Sequence, residues 1–155
     1  PENRLEDPIW KMSGHTDRGR DGCRVPIPWT KDAAGAHGFS NDKNLKIDQA
    51  WLPQSAGWGE SAADTQQGVA GSFFEMVKTA LAIRKTESGL GDGQMDWIEF
   101  SDDVIAFQRP GKFACYVNLG KSDAVIPYGS EVLLASSELK GEHIPTDTAV
   151  WLRLP

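Results

Sequence analysis

The sequence predicts a loop-rich first part, one helix, and a small antiparallel β-sandwich at the end. Three observations lead there. Residues 1–63 are rich in Pro, Gly, Asp and Trp and keep no sustained hydrophobic period. Apolar residues then recur at spacings of three and four up to Lys85. From Met95 onward, short β-favouring runs alternate with turn residues.

The first part, residues 1–63, is expected to form long irregular loops with only short helical turns. Loops of this length are uncommon inside a self-contained domain and are usually functional or supported by another structure. We therefore expect this segment to lack a hydrophobic core of its own.

A helix is predicted from Asp64 to Lys85, inside a second part that covers residues 64–88. Asp64 suits an N-cap, and basic residues in the last turn suit the negative end of the helix dipole. Gly68 and Gly71 each cost about 1 kcal/mol relative to Ala in a helix interior, so we expect the first turns to fray or to begin later. The apolar side consists of Val69, Phe73, Val77, Ala80 and Leu81.

The third part, residues 93–155, holds six predicted strands with turn residues between them, as in a small antiparallel sandwich. Gly111 follows Pro110 between the second and third strands, where glycine supplies the positive φ of a tight turn. Trp97 and Trp151 are expected in the core or at the edge of the sandwich. The predicted strands are Met95–Phe100, Val104–Arg109, Phe113–Leu119, Ala124–Pro127, Val132–Ala135 and Ala149–Leu154.

Composition and charge exclude several classes of partner. The net charge is -6 and the pI is about 5.0, without a basic cluster that could neutralise a phosphate backbone, so we expect no nucleic acid. No apolar run approaches the ~20 residues that cross a bilayer, so we expect no membrane association. Cys23 and Cys115 lie far apart and imply no disulfide framework, which favours reduced thiols and a cytoplasmic location. Pro1 stands where an initiator Met is expected, which favours a piece of a longer protein.

The residues best suited to chemistry lie in the run Gly19–Trp29, which carries Arg20 and Arg24, one acid, two prolines and a terminal indole. The planar fork of arginine donates several directed hydrogen bonds, which suits it to hold sugar hydroxyls. A competing interpretation is that both arginines bond to nearby carbonyls or to Asp21. The residue chemistry leaves both interpretations open.

Five segments follow one another in the first part of the chain: Asp7–Trp10, Ser13–Thr16, Gly19–Trp29, Gly38–Ser40 and Trp51–Gln54. In this order they resemble the post-catalytic region of bacterial α-glucosidases of glycoside hydrolase family 13, and of actinobacterial members in particular. Three later segments also resemble this family, namely Ala80–Lys85, Val132–Ser136 and Asp147–Leu152. The stretch from Gln66 to Ser72 is richer in Gly than the family pattern, which predicts altered packing of the helix.

The resemblance implies a parent enzyme with a (β/α)₈ barrel and a C-terminal β-sandwich. Such an enzyme hydrolyses the glycosidic bond with three catalytic carboxyl groups and retains the configuration at the anomeric carbon. All three lie before Pro1, so this chain alone is expected to be inactive. It would supply the last barrel loops (1–63), the last barrel helix (64–88) and the sandwich (93–155). Arg20 is expected to reach the non-reducing glucose. Arg24 matches a second family arginine, for which bracing the loop is favoured over sugar contact.

Other polar and aromatic residues are assigned structural roles. Asp21 is expected to partner a neighbouring arginine or backbone amide rather than to act as an acid catalyst. Irregular spacing of the histidines with the cysteines predicts no zinc site, and no sequence motif predicts a cofactor. We expect the loop aromatics to pack loops onto a core, with the acceptor side of a sugar pocket as the alternative. These aromatics are Trp10, Trp29, Phe39, Trp51 and Trp58.

The function predicted from the resemblance is hydrolysis of terminal α-linked glucose from oligosaccharides, which reach this chain through the barrel that it lacks. A second hypothesis is a carbohydrate-binding or scaffolding module without catalysis. A third is a fragment of a trehalose-forming isomerase, whose corresponding loop is also of the Gly-Arg-Asp type.

Overall fold

A computed structural model describes residues 1–155 and divides the chain into two compact units. The loop unit comprises residues 1–69, and the sheet unit comprises residues 70–155. Each unit is described by itself below. No helix in either unit has the length and apolar character that a membrane span requires.

The loop unit consists of irregular chain with short helical segments, as the sequence predicts. Helix α1 begins after Asp7, which accepts the backbone N–H of Ile9 at 3.1 Å, and Pro8 occupies its first position. Both features satisfy or avoid the unpaired N–H groups at a helix start. The α-helical segments are α1 (Pro8–Met12), α2 (Ala34–Gly38) and α3 (Ala63–Gln66), and 3₁₀ turns cover Glu2–Arg4, Asp21–Arg24 and Ala56–Ser61.

Segment α2 is unusual because its interior residues have left-handed backbone angles. Ala36 and His37 have φ values of 53° and 56°, which cost a non-glycine residue roughly 1–2 kcal/mol each. The surrounding hydrogen bonds hold this geometry: the His37 carbonyl accepts the N–H groups of both Trp29 and Thr30, and the Leu45 carbonyl accepts that of Ala36.

The interior of the loop unit mixes apolar and polar residues. Its five buried apolar residues, of which three are alanines, form no cluster. Four polar or charged side chains are buried beside them: Asp7, Asp21, His37 and Gln54. This confirms the expectation that the segment has no hydrophobic core of its own.

The expectation that the loop aromatics pack onto a core is wrong for three of them. Trp10 is buried and Trp58 is half-buried. Trp29, Phe39 and Trp51 remain 53%, 56% and 61% exposed. The loop unit has no cluster of buried apolar side chains against which these three rings could pack.

The single helix predicted from Asp64 to Lys85 is also wrong. The structure contains two helices, α3 and α4 (Phe73–Thr86), with a break between them. Gly68 and Gly71 have φ values of 78° and 77°, which a right-handed helix cannot contain. The assignment of residues 1–63, 64–88 and 93–155 to a barrel and a sandwich stays a prediction.

The caps differ accordingly from the prediction. Ser72 caps α4 by accepting the backbone N–H of Glu75 at 3.3 Å. Asp64 instead lies inside α3, where its carboxylate accepts the backbone N–H of Lys31 at 2.9 Å. The predicted basic residues Arg84 and Lys85 do occupy the last turn of α4.

One face of α4 packs beside the sheet of the same unit, and another remains open. Met76 and Ala80 line a cavity of about 240 Å³ together with Leu134 and Trp151. Arg153 also bonds Glu87, which directly follows the helix, at 2.6 Å. The open face carries apolar side chains at helical spacing that are 70%, 36% and 53% exposed, namely Phe73, Val77 and Leu81.

The sheet unit contains a five-stranded antiparallel sheet of order β1-β2-β3-β7-β5 and a two-stranded sheet of β4 and β6. Buried side chains from both sheets form one apolar core that includes Ala106, Tyr116, Ile126, Ile144 and Leu152. This is the small antiparallel sandwich that the sequence predicts. The strands are β1 (Asp96–Trp97), β2 (Val104–Arg109), β3 (Phe113–Asn118), β4 (Ala124–Val125), β5 (Glu131–Ala135), β6 (His143–Ile144) and β7 (Thr148–Arg153).

Strand bounds agree well with the sequence where runs are long. Strand β2 has its predicted bounds, and Gly111 has a φ of 76° in the turn that follows it. The first predicted run shrinks to the two residues of β1, where Trp97 lies at the sheet edge and is 68% exposed. Strand β6 is missed because its two residues give no detectable period.

Candidate functional site

The candidate site is the loop around Arg20, which the sequence singles out in the run Gly19–Trp29. Arg20 directly precedes the 3₁₀ turn Asp21–Arg24 and is exposed, and its guanidinium makes no hydrogen bond or ion pair within the loop unit. Arg24 lies at the other end of that turn with 46% of its side chain exposed. The two arginines therefore differ in how they are held.

Asp21 is a structural partner of backbone and arginine, as the sequence predicts. One oxygen of its buried carboxylate accepts the backbone N–H groups of Glu6 at 2.7 Å and Asp7 at 2.9 Å. The other oxygen accepts Nη1 of Arg24 at 3.1 Å. Asp21 thereby ties the loop to the chain segment that leads into α1.

The Asp7 carboxylate makes similar bonds, and it binds the backbone of the loop in return. Its Oδ1 caps α1 through Ile9, and its Oδ2 accepts the backbone N–H of Arg20 at 3.0 Å. The same Oδ2 lies 3.0 Å from Nη1 of Arg24. One guanidinium nitrogen of Arg24 therefore bridges two buried carboxylates, which is the bracing role that the sequence favours for it.

Gly19 fits tightly under this network. Its φ is 59°, and a Cβ at this position would overlap Cγ2 of Ile9 and lie 2.5 Å from Cγ of Asp7. Glycine is required here both for the backbone angle and for the close approach. The residue before Arg20 is thus packed directly against the carboxylate that binds Arg20.

The hydrogen bonds shift the ionisation of all three charged groups. The N–H of Asp7 holds the pKa of Asp21 below its usual value, with further help from Glu6 and Arg24 and opposed by burial. The pKa of Asp7 is lowered chiefly by the N–H groups of Arg20 and Ile9. The hydrogen bond to Asp21 raises the pKa of Arg24. Two carboxylates held ionised in this way are unsuited to donate a proton to a leaving group.

Of the two arginines, Arg20 is the one whose guanidinium has no partner in the loop unit. Its backbone N–H is bonded to Asp7, while the five N–H donors of its guanidinium are unpaired within this unit. Directed donors of this kind can bond hydroxyl groups.

Sequence reasoning missed the role of Asp7 as the anchor of Arg20. The Asp-Pro pair at the start of α1 is a recognisable N-cap signal and could have revealed half of that role. It also missed buried His37, whose Nδ1 lies 3.0 Å from the Thr30 carbonyl. No local signal marks a left-handed histidine.

The structure does not bring the histidines and cysteines into a common site. His15 contacts Trp10 with the ring centroids 4.9 Å apart and the rings tilted by 58°, and His143 is exposed on β6. Cys23 is exposed and Cys115 is buried, both as free thiols. No group of three or more His, Cys, Asp or Glu side chains is arranged to hold a metal ion.

An arginine loop, a helix and a small antiparallel sandwich follow one another along the chain, in the order expected from the resemblance to α-glucosidases. Comparison with known proteins confirms this resemblance to α-glucosidases of glycoside hydrolase family 13. The closer likeness to actinobacterial members stays a prediction. No family model matches the chain.

Two curated relatives carry the resemblance in sequence. A probable α-glucosidase of Rhizobium meliloti is 29% identical over 123 residues, which cover 77% of this chain and 21% of the relative. A glucan 1,6-α-glucosidase of Streptococcus dysgalactiae subsp. equisimilis is 25% identical over 153 residues, which cover 92% of this chain and 27% of the relative.

Solved structures of related enzymes have a similar fold. The α-glucosyl transfer enzyme XgtA is similar with a TM-score of 0.68 at 27% identity, over 98% of this chain and 29% of the enzyme. A variant of the trehalulose synthase MutB in complex with glucose is similar with a TM-score of 0.73. At 17% identity that likeness shows the fold alone, over 99% of this chain and 32% of MutB. The chain thus spans about a fifth to a third of the length of these proteins.

Proposed function

We propose that this chain is the C-terminal part of an α-glucosidase that releases terminal α-linked glucose from oligosaccharides. In this proposal the loop unit forms one wall of the sugar pocket, and the remaining walls and the catalytic carboxyl groups belong to a barrel outside these residues. The observation that carries the proposal is Arg20, whose backbone is held by a buried carboxylate while its guanidinium stays exposed.

The two arginines have different roles in this function. Arg20 donates hydrogen bonds to hydroxyl groups of the non-reducing glucose. Arg24 is committed to Asp7 and Asp21 and keeps the loop in shape. These pairs are charge-assisted hydrogen bonds, worth roughly 1.5–3 kcal/mol each, so they hold the Arg24 guanidinium against the two carboxylates.

The same contacts support inactivity of the chain by itself. A retaining glycosidase needs two carboxyl groups about 5–5.5 Å apart, with one available to give up a proton. Asp7 and Asp21, the buried acids of the loop unit, are both saturated by backbone N–H groups and Arg24. Neither is free to attack a sugar or to protonate an oxygen.

A cytoplasmic location remains part of this proposal. The two cysteines are free thiols, and Cys23 is exposed, which suits a reducing compartment.

A chimeric enzyme tests the proposed function. The C-terminal part of the Rhizobium meliloti α-glucosidase is replaced by this chain, and hydrolysis of a chromogenic α-glucoside is measured. Arg20→Lys keeps the charge but removes the planar fork, so we expect kcat/KM to fall by at least about 10-fold. Arg18→Lys is the matched control, because Arg18 is exposed and makes only a 3.7 Å pair with Glu2. An Arg20→Lys chimera as active as the Arg18→Lys chimera contradicts the proposal.

A second candidate function is a carbohydrate-binding module, which the exposed rings of Trp29, Phe39 and Trp51 favour. Indole and phenyl faces stack on the C–H face of a pyranose. Titration of the purified chain with maltooligosaccharides, followed by Trp fluorescence, separates the two functions. Saturable binding that is lost in Trp29→Ala and Trp51→Ala supports the module, and an unchanged spectrum supports a wall that needs its barrel.

A further inference from the structure

The backbone is the only part of Arg20 that the loop unit holds. Its exposed guanidinium has no partner in this unit, so the loop unit sets where the side chain starts but not where its donors point. A single hydrogen bond links the Arg20 backbone N–H to another segment, and its acceptor is Oδ2 of Asp7, thirteen residues earlier.

The Asp7 carboxylate joins four separate groups. It accepts the N–H of Ile9 at 3.1 Å and that of Arg20 at 3.0 Å, and it pairs with Arg24 at 3.0 Å. Gly19 packs against its Cγ so closely that a methyl group would not fit. The start of α1, the Arg20 backbone and the Arg24 brace therefore meet at one side chain.

The Asp21 carboxylate makes a similar set of bonds, but it accepts no hydrogen bond from Arg20. Its oxygens accept the N–H groups of Glu6 and Asp7 and pair with Arg24. Asp21 thus secures the segment that carries Asp7, and Asp7 secures Arg20. The order of contacts gives the two buried acids different tasks.

We propose that Asp7 is a positioning residue for Arg20, which sets where that arginine meets the sugar by holding its backbone against the start of α1. This rests on the proposed function, in which Arg20 contacts glucose. Asp7 itself makes no contact with substrate. Its charge matters because two N–H donors and a guanidinium must all find acceptors on one side chain.

The substitution Asp7→Ser separates capping from positioning. Serine is a good N-cap and retains the bond to Ile9, but its shorter side chain does not reach Arg20. In the ¹⁵N-labelled chain we expect the Arg20 amide to exchange with solvent about 10-fold faster or more, while the Ile9 amide keeps its protection. Asp42→Ser is the matched control, since Asp42 is an exposed acid of the loop unit whose side chain accepts only the N–H of Asn44.

The wild-type chain provides a second readout that needs no variant. Acid titration of Asp7 should move the Arg20 and Ile9 amide resonances together, with one shared midpoint below the ordinary carboxyl pKa. An Arg20 amide that ignores this titration, or one that keeps its exchange rate in Asp7→Ser, overturns the positioning proposal. The titration of the wild-type chain remains a valid test even if the serine variant unfolds the loop unit.

The chimeric α-glucosidase links positioning to turnover. Asp7→Ser should lower kcat/KM in the same direction as Arg20→Lys, and the double variant should lose less than the product of the two single losses. Full multiplicative losses overturn the positioning role. A coupled amide combined with turnover that is indifferent to Arg20→Lys overturns the proposed function instead, so the two failures are distinguishable.

Discussion

Asp21 accepts the backbone N–H of Asp7 at 2.9 Å, so one buried acid holds the backbone of the other. Asp7 in turn accepts the backbone N–H of Arg20, and Arg24 bridges both carboxylates. The interior of the loop unit is therefore organised by charge-assisted hydrogen bonds rather than by apolar packing. Its behaviour should follow the ionisation of these groups.

The first prediction concerns the stability of the loop unit at low pH. Both carboxyl groups have a folded-state pKa below their ordinary value of 3.8, so the folded loop unit binds fewer protons than the unfolded chain in acid. Their stabilisation is fully present above that ordinary value and is lost as the pH falls through the lower folded-state pKa. The protection of the Ile9 and Arg20 amides should hold from pH 7 to about 5 and decline below pH 4.

The control for acid sensitivity is a pair of variants. Asp21→Asn should reduce amide protection already at neutral pH and show a weaker decline below pH 4, because one titrating group is gone. Asp42→Asn should follow the wild-type profile, since its side chain lies outside this network. Equal pH profiles in Asp21→Asn and wild type would contradict the assignment of the acid response to Asp21.

The second prediction uses two glycines with similar backbone angles. Gly19 and Gly14 have φ values of 59° and 66°, but only Gly19 lies against other side chains. Gly14→Ala should cost about 1 kcal/mol for the backbone angle alone, and Gly19→Ala at least about 2 kcal/mol more from overlap with Asp7 and Ile9. Hydrogen exchange of loop-unit amides, such as that of Thr30, measures the difference. Equal costs would show that Gly19 is not tightly packed.

The third prediction concerns Asn118, a fully buried amide of the sheet unit. Its Nδ2 lies 2.9–3.1 Å from the carbonyls of Ser122, Ile144 and Pro145, which share its two hydrogens, and its Oδ1 accepts the N–H of Gly120. Asn118→Ala leaves these backbone groups without partners and should cost roughly 2–4 kcal/mol of unfolding free energy. Urea unfolding followed by circular dichroism gives the value.

The exposed Gln108 on β2 is the control for that substitution, and Gln108→Ala should change the unfolding free energy by less than about 0.5 kcal/mol. A loss in Asn118→Ala no larger than that of the control would mean that Asn118 does not fasten the chain around β6 to β3.

The fourth prediction concerns the two thiols. Burial raises the pKa of Cys115 and shields it from reagents, whereas Cys23 is exposed. A thiol reagent at pH 8 should modify one cysteine rapidly and the second only after denaturant is added. Cys23→Ser should abolish the rapid phase and Cys115→Ser should leave it intact. Two rapid phases in the wild type would contradict the buried position of Cys115.

The sandwich could be predicted from sequence because its signals are local. Strand β2 and the turn at Pro110-Gly111 are marked by β-branched residues and by a glycine with positive φ. The helix break could not be placed as firmly, because the apolar spacing continues across Gly68 and Gly71. Ser72 becomes the N-cap of α4 because the positive φ angles of the two glycines end the preceding helical segment.

The site was only half predictable for a similar reason. The arginines, prolines and indole within the eleven residues of Gly19–Trp29 predict a loop that exposes hydrogen-bond donors. This signal is contained in the run itself. The anchor of Arg20 lies thirteen residues away in Asp7 and depends on Gly19 packing against it. Contacts of this kind leave no period or spacing in the sequence. The left-handed geometry of Ala36 and His37 is hidden in the same way, because it is imposed by bonds to Trp29, Thr30 and Leu45.

We propose that this chain provides a sugar-binding arginine while the groups that break the glycosidic bond lie in a barrel outside it. The most direct test is hydrolysis of a chromogenic α-glucoside by the purified 155-residue chain, compared with a heat-denatured sample. We expect no release of chromophore above that background at any concentration of the chain. Release that rises in proportion to the folded chain and disappears in Asp21→Asn would contradict it.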